Sequence, residues 1–264
     1  MIFAFLYGDK PLSYFIYTLF TLVAVVIGLT LHEVAHGLVA KWNGDYTAKY
    51  AGRLTLNPVK HFDLVGFLMM MMVGFGYAKP VPVNPSNYRH YRKGLITVAI
   101  AGIVMNVIVA FITTLFGCLF FFGMTKMSTE AGYEAMFYIG ELFRIIARVN
   151  LSLAFFNLLP IYPLDGFRLV ESLTHRGNKF CAFMRTNGMY LLWGLVALSV
   201  VVDMAGIYAR NLPFWFDYFD ILGTYINICV NSVTWVFTSF WSLFIPGYRP
   251  MLLMFYIYLY GGIV

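Results

Sequence analysis

Residues 14–41, YFIYTLFTLVAVVIGLTLHEVAHGLVAK, decide the fold class. The run begins behind Pro11 and Ser13 and stays apolar as far as His32. As a helix rising about 1.5 Å per residue it extends about 42 Å, more than the ~30 Å of a bilayer's hydrocarbon. The pattern predicts a membrane-spanning helix over Tyr14–Lys41 with three ionisable side chains, His32, Glu33 and His36, close to its basic end. Composition extends the reading to the whole chain: 61% of its 264 residues are hydrophobic and 11% charged, and mean hydropathy is +0.75. Soluble domains hold about 45–50% apolar and about 25% charged residues. A disordered chain, a disulfide scaffold and a coiled coil are excluded, and an all-α polytopic membrane protein is expected.

Further apolar runs at Gly94–Phe122, Ala135–Leu159, Gly188–Tyr208 and Ile221–Ile245 bring the expectation to about five transmembrane helices. Between the first two lies something different. Gly44–Pro58 is polar, and its loose alternation around Tyr50, Arg53, Leu54, Thr55 and Leu56 predicts a short hairpin. Leu64–Tyr77 is apolar but too short to cross, and Gly66, Gly74 and Gly76 break it. It leads into KPVPVNP, Lys79–Pro85. Residues 44–93 are therefore expected to form a re-entrant, β-like loop segment that returns to the side it left. Pro80 and Pro82 donate to no ladder, so this stretch suits either a stiff loop or an edge along which an extended substrate lies.

Charge sets the orientation. Between Lys41 and Lys93, eight basic side chains stand against Asp45 and Asp63 alone. Arg168–Arg185 is again basic, while Lys126–Glu134 and Arg210–Asp220 are net negative. Under the positive-inside rule both basic segments are cytoplasmic and the N-terminus lies outside. The formal net charge of +6 then reflects topology, and no nucleic acid is expected. His61, His90 and His175 fall in these basic segments and are expected to be solvated. One membrane-embedded domain over 1–264 is expected: core helices in 14–168, including the re-entrant segment 44–93, then accessory helices and an apolar tail over 188–264. No internal repeat supports a transporter built from two related halves.

The chemistry concentrates in HEVAH, residues 32–36. Spacing of i, i+4 stacks both imidazoles on one helix face, where they can share a metal, and Glu33 stands beside them. Ionisable groups inside a membrane are costly, and three within five residues have no packing role. A catalytic zinc needs a third protein ligand and an open fourth position. Glu141, Asp165 and Asp203 are the candidates within the membrane. Asp165 is the best placed, because Pro160 and Pro163 break the helix before it and Gly166 permits a turn.

HEVAH together with NLLPIYPLDG, residues 157–166, resembles the site-2 protease family of zinc intramembrane metalloproteases. That family pairs HExxH in one span with an NxxPxxxxDG-like segment in a later one, and Asn157, Pro160, Asp165 and Gly166 match in order. The family's AGPxxN-type element has its counterpart in AGIVMN, Ala101–Asn106, with Ile103 in place of the proline. GRLTLNP, Gly52–Pro58, and KPVPVNP look like those of short prokaryotic members without PDZ or CBS modules. The resemblance covers roughly Leu22–Arg168; the last two spans match nothing specific. It implies one zinc per chain on His32, His36 and Asp165, with Glu33 assisting attack of a zinc-bound water on a peptide bond. It also implies that Asn106, and less directly Asn157, holds the substrate or its developing oxyanion. The implied substrate is a transmembrane helix of another protein, cut in regulated intramembrane proteolysis in a prokaryotic inner or plasma membrane, with the site opening to the cytoplasm. Control is expected from substrate supply, a regulatory partner or the last two helices.

Overall fold

The computed structural model describes residues 11–63, 65–66, 69, 76, 78–175, 177–208 and 219–245. These are built from α1 (Pro11–Trp42), α2 (Thr47–Tyr50), α3 (Tyr91–Met124), α4 (Glu130–Leu158), α5 (Asp165–Leu173), α6 (Lys179–Tyr208) and α7 (Ile221–Ser242), with 3-10 turns at Pro58–Lys60 and Pro85–Asn87. The helix starts follow local chemistry. Thr129 accepts the Gly132 N–H at 3.2 Å to open α4, and Asp220 accepts the Gly223 N–H at 2.8 Å to open α7. α4 stops at Leu158, two residues before Pro160, which cannot continue it.

α3 lies along α4, α1 rests against both, α5 packs on α3, and α7 closes against α4 and α3. The two faces of α3 explain the arrangement. Gly102, Asn106, Ala110, Thr114 and Cys118 face inward, while Val104, Ile108, Ile112 and Phe116, at steps of four, face outward. Small and polar residues let helix backbones approach, and large apolar ones suit lipid. Ala110, Ala147, Leu151 and Val230 form the cluster that joins α3, α4 and α7.

The structure corrects the expected five spans. Among the described residues four helices, α1, α3, α6 and α7, are long and apolar enough to cross a membrane. α4 is as long, but Glu130, Glu134, Glu141, Arg144 and Arg148 lower its hydropathy. Its inner charges are paired within the bundle. Arg144 donates to both Glu141 oxygens at 2.8 and 2.6 Å, and Arg148 donates to Asn231 Oδ1 of α7 at 3.0 Å.

The hairpin expected over Gly44–Pro58 is replaced by α2 and a 3-10 turn, and no strand occurs among the described residues. Asp45 is the cause: its Oδ1 accepts the Thr47 N–H at 3.1 Å and starts a helical turn. Within it the Tyr50 and Ala51 N–H groups reach the Tyr46 and Thr47 carbonyls, both at 3.0 Å. A short alternation does not prevail over such side-chain-to-backbone bonding. Most of Leu64–Tyr77 lies outside the described residues; Val65, Gly66 and Met69 are helical. The flanks of this segment meet, because the Lys79 N–H donates to the His61 carbonyl at 2.9 Å. Arg53 Nη2 adds a bond to the Lys79 carbonyl at 2.6 Å. His61 is buried rather than solvated, its Nε2 lying 2.9 Å from the Thr55 carbonyl, whereas His90 and His175 are exposed.

Candidate metal centre

The one-face spacing on α1 brings His32 Nε2 and His36 Nε2 to 3.0 Å from each other. Asp165, the first residue of α5, places Oδ2 at 3.1 Å from His32 Nε2 and 3.0 Å from His36 Nε2. All three side chains are buried, and together they are the one group of His, Cys, Asp or Glu among the described residues able to hold a metal. The chain delivers Asp165 by a tight reversal. α4 ends, the Tyr162–Pro163 peptide is cis, and α5 starts so close to the end of α4 that a Cβ on Gly166 would overlap the Leu158 carbonyl. Arg92 of α3 holds the far end of α5, donating to the Ser172 carbonyl at 3.1 Å and the Leu173 carbonyl at 3.0 Å.

The donor set fits a cation. His36 Nδ1 lies 2.7 Å from the Val98 carbonyl, so it carries the proton and Nε2 presents a lone pair inward. Two imidazole nitrogens and a carboxylate oxygen thus converge at 3.0–3.1 Å, an arrangement that calls for positive charge between them. A tetrahedral zinc with bonds of about 2.0–2.1 Å spaces its ligands about 3.3 Å apart, so number, type and spacing suit it. Gly102 of α3 stands directly against the two rings: a Cβ there would run into His32 Cε1 and His36 Nε2. Gly102 belongs to the AGIVMN element, where the sequence points to a role for Asn106 alone; a glycine inside a span of helix formers is the further signal of its own.

Glu33 is half-buried and lines the same cavity, of about 1680 Å³, as the two histidines and Asp165. Its Oε2 accepts the Val81 N–H at 2.7 Å. Arg92, Arg168 and Arg185 line the cavity too, and Arg168 Nη1 lies 3.6 Å from Asp165 Oδ1. Asn157 is on the cavity wall, its Nδ2 donating to the Leu153 carbonyl at 3.0 Å. Asn106 is not: it is fully buried, and neither amide atom has a partner among the described residues. Of the other acids, Glu141 is taken by Arg144 and Asp203 lies on an exposed face of α6, so neither joins the histidines. Because Val81 donates to Glu33 and its proline neighbours have no N–H, residues 80–82 can offer an extended substrate only carbonyls.

A centre of this kind among membrane-length apolar helices belongs to the membrane-embedded zinc metalloproteases. More narrowly, the chain belongs to peptidase family M50, whose profile matches residues 20–201. Three relatives share the name putative zinc metalloprotease. YwhC of Bacillus subtilis is 38% identical over 200 residues, 70% of this chain and 88% of the relative. Rip2 of Mycolicibacterium smegmatis is 24% identical over 240 residues, 88% and 85% of the two chains. MJ0611 of Methanocaldococcus jannaschii is 26% identical over 219 residues, 80% and 89%. No solved structure matches the chain. The protein is a metalloprotease, its cofactor is zinc, and it is integral to a membrane.

Proposed function

We propose that the protein is an intramembrane endopeptidase that cuts transmembrane segments of other membrane proteins. In this reading His32 Nε2, His36 Nε2 and Asp165 Oδ2 hold the zinc, and Glu33 is the catalytic base. The observation that carries it is the convergence of those three atoms within 3.1 Å on a membrane-length helix and its partner, with Glu33 in the same cavity. Zinc bound there supplies a Lewis acid that polarises water and the scissile carbonyl. The Val81 N–H holds Glu33 Oε2, which leaves Oε1 to take the proton of the attacking water and pass it to the leaving amine. The Val98 carbonyl keeps the His36 ring oriented throughout.

A transmembrane helix buries its carbonyls in its own hydrogen bonds, so the substrate unwinds before attack. An unwound stretch lying along residues 79–83 donates its N–H groups to the Pro80 and Pro82 carbonyls. Asn157, on the cavity wall, meets substrate more directly than buried Asn106. The contact between Lys79 and His61 brings together two points within the expected re-entrant segment 44–93, which supports its return to the side it left. The arginines lining the cavity support a cytoplasmic opening with the N-terminus outside. Bacterial and archaeal relatives support a prokaryotic plasma membrane, residues 14–168 form the working core, and 188–264 are accessory.

The test compares zinc-loaded wild type with Glu33→Gln in lipid, on a single-span substrate whose helix is weakened by Gly and Pro. Wild type is expected to cut, and Glu33→Gln to be slower by about 10²-fold or more. Equal cleavage by both removes Glu33 from the mechanism.

A further inference from the structure

We infer that Asp45 is a positioning residue for catalysis: it anchors residues 79–87 so that the Val81 N–H stays on Glu33. This rests on the reading of Glu33 given above. Asp45 lies just past the end of α1, is fully buried, and accepts four hydrogen bonds. Two come from its own turn, Thr47 N at 3.1 Å and Thr47 Oγ1 at 2.5 Å. The other two come from far along the chain, Asn84 N at 2.6 Å and Asn87 Nδ2 at 2.9 Å, and do nothing for the turn. Bonds to a carboxylate are the strong kind, so this end of the segment is firmly held.

The opposite end is fixed too, by the bonds of Lys79 to His61 and Arg53. Between the two anchors, Pro80 and Pro82 fix their own φ and restrict the residues before them, so Val81 has little freedom. Its side chain is buried close to Gly37 of α1, where an added Cβ would meet Val81 Cγ1 at 3.1 Å. Val81 therefore presents its N–H to α1 one turn before Gly37, at Glu33. A carboxylate on a flexible side chain gains from such a fixed donor, since misplacing a catalytic group by about 1 Å costs about 10²-fold in rate. Asp45 acts on Glu33 only through the segment that Asn84 and Asn87 tie to it and that carries the Val81 N–H.

The experiment uses the full chain in lipid and measures three quantities: zinc per chain, kcat and KM per zinc-loaded enzyme on the single-span substrate, and hydrogen exchange over 79–84. Asp45→Ala is expected to lower kcat per bound zinc at least threefold, to change KM less than kcat, and to speed exchange at 79–84. Asp45→Asn, which keeps an acceptor oxygen, is expected to recover part of both effects. A kcat per bound zinc within threefold of wild type overturns the inference, whether or not zinc content falls, because the role is then structural only. Unchanged exchange overturns it as well. If Asp45→Ala does not fold, Asn87→Ala, which removes the bonds of Asn87 Nδ2 to Asp45 Oδ1 and Thr47 Oγ1 and keeps the carboxylate, is judged by the same criteria. Exchange needs no turnover, so the tether is tested separately from Glu33. Cleavage by Glu33→Gln at the wild-type rate counts against the mechanism, and unchanged exchange in Asp45→Ala counts against the tether alone.

Discussion

Asp165 Oδ2 stands 3.0 Å from His36 Nε2, although 129 residues separate them in the chain. The contact joins the first helix to the fifth and closes the donor triangle. Asp165→Asn keeps the shape and removes the charge. It is expected to weaken zinc binding by about 10²-fold, at the upper end of what even supporting residues of metal sites show. Zinc retained after dialysis against a graded chelator checks this, and retention equal to wild type would exclude Asp165 as a ligand.

Gly102 gives the second prediction. A methyl at this position has nowhere to go except into His32 and His36. Gly102→Ala is expected to destabilise by about 1–3 kcal/mol, the usual range for an overpacked site, and to lower zinc content while far-UV helicity stays native. Full zinc occupancy in this variant would show that α1 and α3 can part without cost.

Removing the metal should act on stability as well as activity. Zinc at about 100 times its dissociation constant adds about 2.7 kcal/mol to the folded state if it binds only there. Treatment with 1,10-phenanthroline is therefore expected to abolish cleavage and to lower the thermal midpoint in lipid, and added zinc to restore both. A midpoint indifferent to chelation would argue that the triangle His32–His36–Asp165 is not where the metal resides.

Asp45 sets a pH dependence outside the spans. Burial alone would push its carboxyl up, but hydrogen bonds from Thr47, Asn84 and Asn87 outweigh it and hold the group below the usual carboxylate range. A depressed folded pKa contributes stability that is fully present above the unfolded value of about 3.9 and is lost as pH falls through the folded one. The gap in thermal midpoint between wild type and Asp45→Asn is thus expected to hold between pH 7 and 5 and to narrow below about pH 4. A gap that widens with acid would reverse the sign of the argument.

The sequence by itself carried whatever depends on short-range spacing. The length of Tyr14–Lys41 announces a membrane helix, and i, i+4 in HEVAH puts two imidazoles on one face whatever the rest of the chain does. With NLLPIYPLDG added, the family was legible from residues alone. Spacing says nothing about partners distant in the chain. Which of Glu141, Asp165 and Asp203 meets the histidines depends on helix rotation and on the reversal at Gly166, and only the packed structure decides it. The same holds for Gly102, whose helix favours any small residue until two rings are set against it. Gly44–Pro58 reads as a hairpin from the alternation around Tyr50, Arg53, Leu54, Thr55 and Leu56, and nothing local shows that half of the hydrogen bonds of Asp45 go to Asn84 and Asn87, 39 and 42 residues on. Glu141 and Arg144 of α4 pair inside the bundle, and with its other charges they keep this helix out of the four that length and hydropathy mark as spans. Local geometry is set by covalent repeat and residue type; charge pairs, close approaches and donor triangles exist only once distant segments are brought into contact.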